Sequence, residues 1–222
     1  MTPDTRHVER VVEIATHPSA AARFRLAASW RRSLDHHGLD PGQRDEVLRI
    51  TDRELRERYE KAEEIRRIAM PKLDSLFQLV GSSGCGVLLT DAEGVVLDLR
   101  VSDGDRTVFE AWGLTPGSDW SEASEGTNGI GTCIAENRRV IIHRDEHFHA
   151  RNIGMSCIDA PVFGMTWNSP FAPTQLFAFG SKRLSTYACA AIRRQSNPYF
   201  AAYFLMTPSY GEICPVFAPR LS

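Results

Sequence analysis

Apolar residues along the first eighty positions repeat with helical spacing. Ser19–His37 is rich in Ala, Arg and Leu, Gly38 stands where a helix would stop, and Pro41 follows at the distance expected beyond a C-terminus. Thr51 and Glu54 form a capping-box pair that opens a second, longer helix. Along it Leu55, Tyr59, Ala62, Ala69, Leu73, Leu76 and Val80 keep a four-three spacing, with Ile65 standing in where Arg66 breaks the series. Charged residues fill the other faces. Such a stripe predicts either a helix packed on its own domain or one paired with its copy in a parallel homodimer. Pro71 should kink this helix or start another.

From Gly84 the period changes from helical to alternating. GVLLT and VVLDLR flank the turn sequence DAEG, which predicts a β-hairpin. Thr107–Trp112 reads as a short helix and Leu114–Ser124 as a loop. GTNGIGT follows. Gly126, Gly129 and Gly131 allow positive φ or close approach, and Thr127 or Asn128 is placed to cap a helix from about Ile130 to Glu136. Val140–His143 predicts a third strand and Cys157–Phe163 a fourth, interrupted by Pro161. Strands interleaved with short helices behind a helical arm predict an α+β fold, an antiparallel sheet with flanking helices.

Composition narrows the function classes. The net charge of −2 argues against a general polyanion binder, and 42% hydrophobic residues suffice for a sizeable core. No apolar run reaches the ~20 residues of a membrane span, and the N-terminus lacks the apolar core of a secretory signal. The five cysteines, Cys85, Cys133, Cys157, Cys189 and Cys214, form no CxxC pair, so neither a zinc knuckle nor a disulfide framework is expected and a reducing cytoplasm is the simplest setting.

Several residues invite chemical readings. Amides at the start of the Gly-rich helix are suited to an anion or a polar ligand group, against the plainer reading of a capped turn. His143, Glu146, His147 and His149 have the chemistry of metal ligands, but His143 and His147 would share a face only in a helix, so no metal or other cofactor is expected. Trp120 offers an apolar wall, and Glu122 and Glu125 carboxylates, ahead of the glycine turn. Cys133 near a helix N-terminus raises the possibility of a reactive thiol, against the plainer reading of buried structural cysteine. There is no GxSxG elbow and no Walker loop.

Five motifs occur in order: SWRRSLDHHGLDP, LLTDAEGVVLD, WSEASEGTNGIGTCIAE, HRDEHF and SCIDAPVF. This series resembles the N-terminal sensory region of sigma-54-dependent transcriptional activators of the acetoin-catabolism-regulator type, which contains a GAF domain. The resemblance runs from about Arg25 to Phe163. It implies a non-enzymatic module that binds a small organic effector, with Trp120, Glu125, Asn128, Thr132, His147 and Phe148 as contacts. With the resemblance, 81–164 is expected to be the sensor domain, and 1–80 a helical segment whose apolar stripe is the candidate dimer contact. Activators of this type also carry an ATPase domain and a helix-turn-helix, and neither fits after Gly164, so no nucleic-acid contact is expected from this chain.

Near Gly164 the resemblance stops. Residues 160–222 hold one acidic residue, Glu212, and six prolines beyond Gly164. This tail, 165–222, reads as a change of reading frame or as a divergent segment. In the family's topology the central fifth strand would have to come from Thr166–Phe179, where Pro170 and Pro173 fall, so the expected sheet is incomplete. Two alternatives to the sensor are a GAF-type redox enzyme or thiol sensor acting on free methionine sulfoxide, and an interaction-only or non-functional fragment.

Overall fold

The computed structural model describes residues 3–17, 19, 24–162, 174–180, 205–206 and 213–214, the last three stretches as backbone only. The question of a frame change falls mainly on residues outside these. Helix α1 (Pro3–Thr16) begins with proline in its first turn and buries His7, Val11 and Ala15 on one side. Helix α2 (Ala27–Arg31) runs on into a π-helical turn, Arg32–His36, so the single helix expected from Ser19 is a shorter α-helix with a widened last turn. That turn keeps Ser29, Arg32 and Ser33 on one side, and this face meets Glu122 and Thr127.

The long helix expected from Thr51 is two helices. Thr51 caps α3 (Asp52–Lys61) with both capping-box bonds to Glu54 formed. The break comes at Ala62, with φ −97° and ψ 8°, and α4 (Glu63–Val80) follows. The two halves serve different neighbours. Arg58 on α3 pairs with Asp91 and, at 2.7 Å, with Glu93 in the hairpin turn. On α4, Leu73, Leu76 and Val80 bury against Cys85, Val87 and Leu89. Pro71 neither ends nor starts a helix. It and Arg67 are exposed, so the carbonyl left free by the missing N–H lies on the solvent side. The C-terminal half of the apolar stripe is therefore spent on the chain's own sheet and is not available to a second copy.

The sheet contains β1 (Cys85–Thr90), β2 (Val96–Arg100), β3 (Val140–His143), β4 (Ser156–Val162) and β5 (Thr174–Gly180), in spatial order β2-β1-β5-β4-β3 and antiparallel throughout. A separate pair joins Leu205–Met206 to Ile213–Cys214. The expected gap in the sheet is not there. β5 begins at Thr174, after both prolines, and pairs with β1 from Cys85↔Gly180 to Thr90↔Gln175 and with β4 from Cys157↔Phe179 to Val162↔Thr174. Pro161 is tolerated because β3 pairs with β4 only as far as Asp159, so beyond it β4 has a neighbour on one side.

Helices cover the second face of the sheet. α5 (Arg106–Ala111), α6 (Glu122–Glu125) and α7 (Gly129–Glu136) enclose Leu88, Phe109, Trp120, Ile130, Cys133, Val140, Ile142 and Cys157. α6 lies where a loop was expected. Ser121 caps it by accepting from the Ser124 amide at 3.3 Å, a four-residue helix too short to show a period.

Two outcomes follow for stability. Amide exchange should be slow across both Cys85–Thr90 and Thr174–Gly180, since each strand is paired on two sides. Fast exchange in the second stretch would restore the incomplete sheet. Leu76→Ala should lower unfolding free energy by about 2–5 kcal/mol in urea titrations.

Candidate functional site

The site is built on the α6–α7 segment. Gly126 turns the chain at φ +61°, and an added Cβ would come within 2.6 Å of the Phe148 ring, so Phe148 seats directly on that turn. Asn128 caps α7 by accepting from the Gly131 amide at 2.9 Å. Its Nδ2 donates to the Gly126 and Trp120 carbonyls at 2.8 and 3.1 Å, which ties both ends of the turn together. At Gly129 a Cβ would collide with the Asp159 carboxyl, and at Gly131 with the backbone of Glu122. The glycines therefore press α7 onto α6 above it and β4 below it.

Helix α2 is strapped to this segment through Glu122, which is 5% exposed. Arg32 donates to its two oxygens at 2.7 and 3.0 Å. Ser29 donates to the same carboxylate, as does Thr132 at 3.1 Å. Ser29 also meets Thr127 at 2.6 Å, and Ser33 reaches Thr127 at 3.3 Å. The bonds from Glu122 hold the Arg32 guanidinium more firmly protonated than usual. Sequence reasoning singled out Glu122, and Thr127 only as a cap, but not Ser29, Arg32 or Ser33. The SWRRS spacing, three residues on one side of a helical turn, is the signal that marks these last three.

All six expected contact residues are buried, and each is engaged within the chain. Trp120 sits in the core and donates to the Gly113 carbonyl at 3.1 Å. Glu125 takes Arg151 Nη2 at 2.6 and 2.7 Å, yet burial still pushes its carboxyl above the usual range. Thr132 belongs to the Glu122 network. Phe148 packs with Val11, Ala15 and Trp30. His147 places Nδ1 2.9 Å from the Arg144 carbonyl and Nε2 3.2 Å from Cys157 Sγ. Asn128, Thr132 and Trp120 thus lie around one segment, whereas Glu125 faces Arg151 and Asn152 and Phe148 faces the arm. None of the six lines the cleft of about 370 Å³ that opens between Arg32, His36 and His37 and the residues Ser121, Ile134 and Ala135.

The histidines disperse. His143 contacts Ser156 at 2.7 Å, and Glu146 binds Arg25. His149 is buried beside the backbone of Asp40 and Ser124. Among the described residues no three His, Cys, Asp or Glu side chains converge as a metal site. The three described thiols, Cys85, Cys133 and Cys157, are buried. Burial pushes Cys85 up to about 11 and raises Cys133 and Cys157 as well.

A profile of the GAF domain matches residues 64–167, starting inside α4. That stretch is a GAF domain. The chain is a relative of the activators of acetoin catabolism. It is 36% identical over 165 residues to the acetoin catabolism regulatory protein of Cupriavidus necator, a match covering 71% of this chain and 25% of that protein. It is 31% identical over 165 residues to the acetoin dehydrogenase operon transcriptional activator AcoR of Bacillus subtilis, covering 72% and 26%. It is 30% identical over 149 residues to the propane 2-monooxygenase operon transcriptional activator MimR of Mycolicibacterium smegmatis, covering 67% and 24%. The chain spans about a quarter of the length of these relatives. A crystal structure of the E. coli DhaR(N)–DhaL complex shares the fold, with a TM-score of 0.64 at 15% identity over 72% of this chain and 53% of that one. No helix among the described residues is long and apolar enough to cross a membrane.

Two measurements probe the seam between the arm and the GAF domain. Glu122→Ala leaves Arg32, Ser29 and Thr132 without their shared acceptor. Because Arg32 is partly exposed, the loss should be about 3 kcal/mol, the low end for a broken buried pair, with faster proteolysis between α2 and α3. The second is pH. Burial pushes His147 and His149 down to about 4 and lowers His7 too. The unfolded chain takes up these protons from pH 6.5 downward while the folded chain refuses them until about 4. Stability should be full above pH 6.5 and fall toward pH 4, by about 3 kcal/mol for each of the two lowest groups. Asp159, whose carboxyl is raised by burial, offsets part of this loss. His149→Gln should flatten the profile in urea titrations across that range; an unchanged slope would mean that His149 titrates normally.

Proposed function

We propose that this chain is the signal-sensing module of a cytoplasmic transcriptional regulator of the sigma-54-dependent kind, binding a small organic effector and catalysing no reaction. The observation that carries the reading is the α6–α7 cover. It is a Gly-, Thr- and Asn-rich segment pressed onto the sheet of a GAF domain, and the arm is strapped to it through Arg32 and Glu122. A molecule lodged beneath the cover shifts α7, and the shift reaches α2 through Thr132 and Glu122. Trp120 and Phe148 supply apolar walls in this reading. Asn128, Thr132, Glu125 and His147 supply polar groups that exchange an internal partner for the ligand. We assign no nucleic-acid contact to these residues.

The names of the relatives tie them to acetoin and to propane 2-monooxygenase, so small ketones and alcohols are the effectors to try first. A ligand that binds only the folded chain stabilises it by roughly 3 kcal/mol at a hundredfold excess over Kd. A thermal-shift screen of small alcohols, ketones, carboxylates and aromatics on the whole chain should therefore find at least one clear rise in Tm. No rise with any compound would sink the sensor reading. Thiol-dependent turnover of free methionine sulfoxide, lost in Cys133→Ser, would replace it with the redox enzyme.

A further inference from the structure

The other buried carboxylates among the described residues, Glu122 and Glu125, follow a rule: each takes an arginine. Asp159 breaks the rule. It is 0% exposed, and neither carboxyl oxygen has a hydrogen-bond partner among the described residues. It lies on β4 opposite Val140 of β3 and Phe177 of β5, on the same face as Cys157. Gly129, the first residue of α7, sits directly on the carboxyl. An unpartnered polar group in a core is costly, and a structural role would have supplied it with donors.

We propose that Asp159 is the specificity-determining contact of the effector site, a buried and unpartnered carboxyl that meets an uncharged ligand under α7. The inference rests on the sensor reading above. Burial raises this carboxyl well above the usual carboxylate range, and among the described residues no cation opposes the shift. A carboxylate ligand would meet no counter-charge there. An amine would have to strip the proton and leave a buried ion pair whose desolvation offsets its attraction. An uncharged molecule bearing a hydroxyl or carbonyl satisfies the group without separating charge. Gly129 closes over the carboxyl, so a ligand reaches it only when the cover lifts, and that same movement loads the strap to α2.

The test uses the whole chain and two variants, the near-isosteric Asp159→Leu and Asp159→Asn, which keeps a donor and an acceptor. The probes are acetoin, the corresponding diol, the corresponding simple ketone and a carboxylate of equal carbon count. Asp159→Leu should raise the Tm of the free chain. The rise should be larger at neutral pH than near pH 4, because folding must take up a proton at Asp159 once pH exceeds the ordinary value of 3.8. It should weaken binding of the uncharged probes by about tenfold or more, while Asp159→Asn stays close to the parent. The carboxylate should not bind any of the three chains. The infrared difference spectrum between the parent and Asp159→Asn should show the carbonyl band of a protonated carboxyl. A fall in Tm on Asp159→Leu, unaltered binding in that variant, or the absence of the protonated band would each overturn the assignment and leave the sensor reading standing. Failure of every compound in the wider screen to bind the parent chain would remove both.

Discussion

A carboxylate buried to one-twentieth exposure must be neutralised where it sits, and the arrangement of this molecule follows from how Glu122 meets that demand. Its partners come from two distant parts of the chain. Arg32 and Ser29 arrive from the helical arm and Thr132 from α7. Once they converge, the arm, α6 and α7 behave as one body laid over the second face of the sheet. Such a bond set contributes little net stability when compared with an apolar replacement of the same shape. It does fix one docking geometry, because few alternative placements of α2 would satisfy the same oxygens.

Much of the fold was legible in the sequence where a pattern was long enough to declare itself. The hairpin around DAEG, the capping box at Thr51 and the helix after Asn128 all stand where the residues put them. The misreadings share a cause. The apolar stripe from Leu55 to Val80 looks continuous, yet Ala62 divides it, because Arg58 answers to the hairpin turn and Leu76 to the sheet. Nothing local distinguishes the two halves. The central strand was discounted because two prolines stood in the window, and three-dimensional pairing starts one residue beyond the second.

The site was harder to read than the fold. Residue types pointed to Trp120, Asn128 and Thr132, and all three do lie around the glycine turn, but their side chains are engaged in holding it together. Asp159 carried no local signal. A single aspartate in the run SCIDAPVF is unremarkable until strand alternation points it inward and Gly129 closes over it. Burial without a partner is a property of the assembled molecule, and no window of sequence contains it.

The order of strands has a consequence for biosynthesis. The strand at the middle of the sheet is the last of the five to leave the ribosome, and residues 91–173 must emerge before β1 meets its inner neighbour. Until then the nascent chain holds two separate hairpin-like halves, β1 with β2 and β3 with β4, each with an open backbone edge. Closing that distance is an entropic barrier that local helix formation does not relieve. The nascent protein is therefore most exposed to chaperones and to pairing with other chains during this interval.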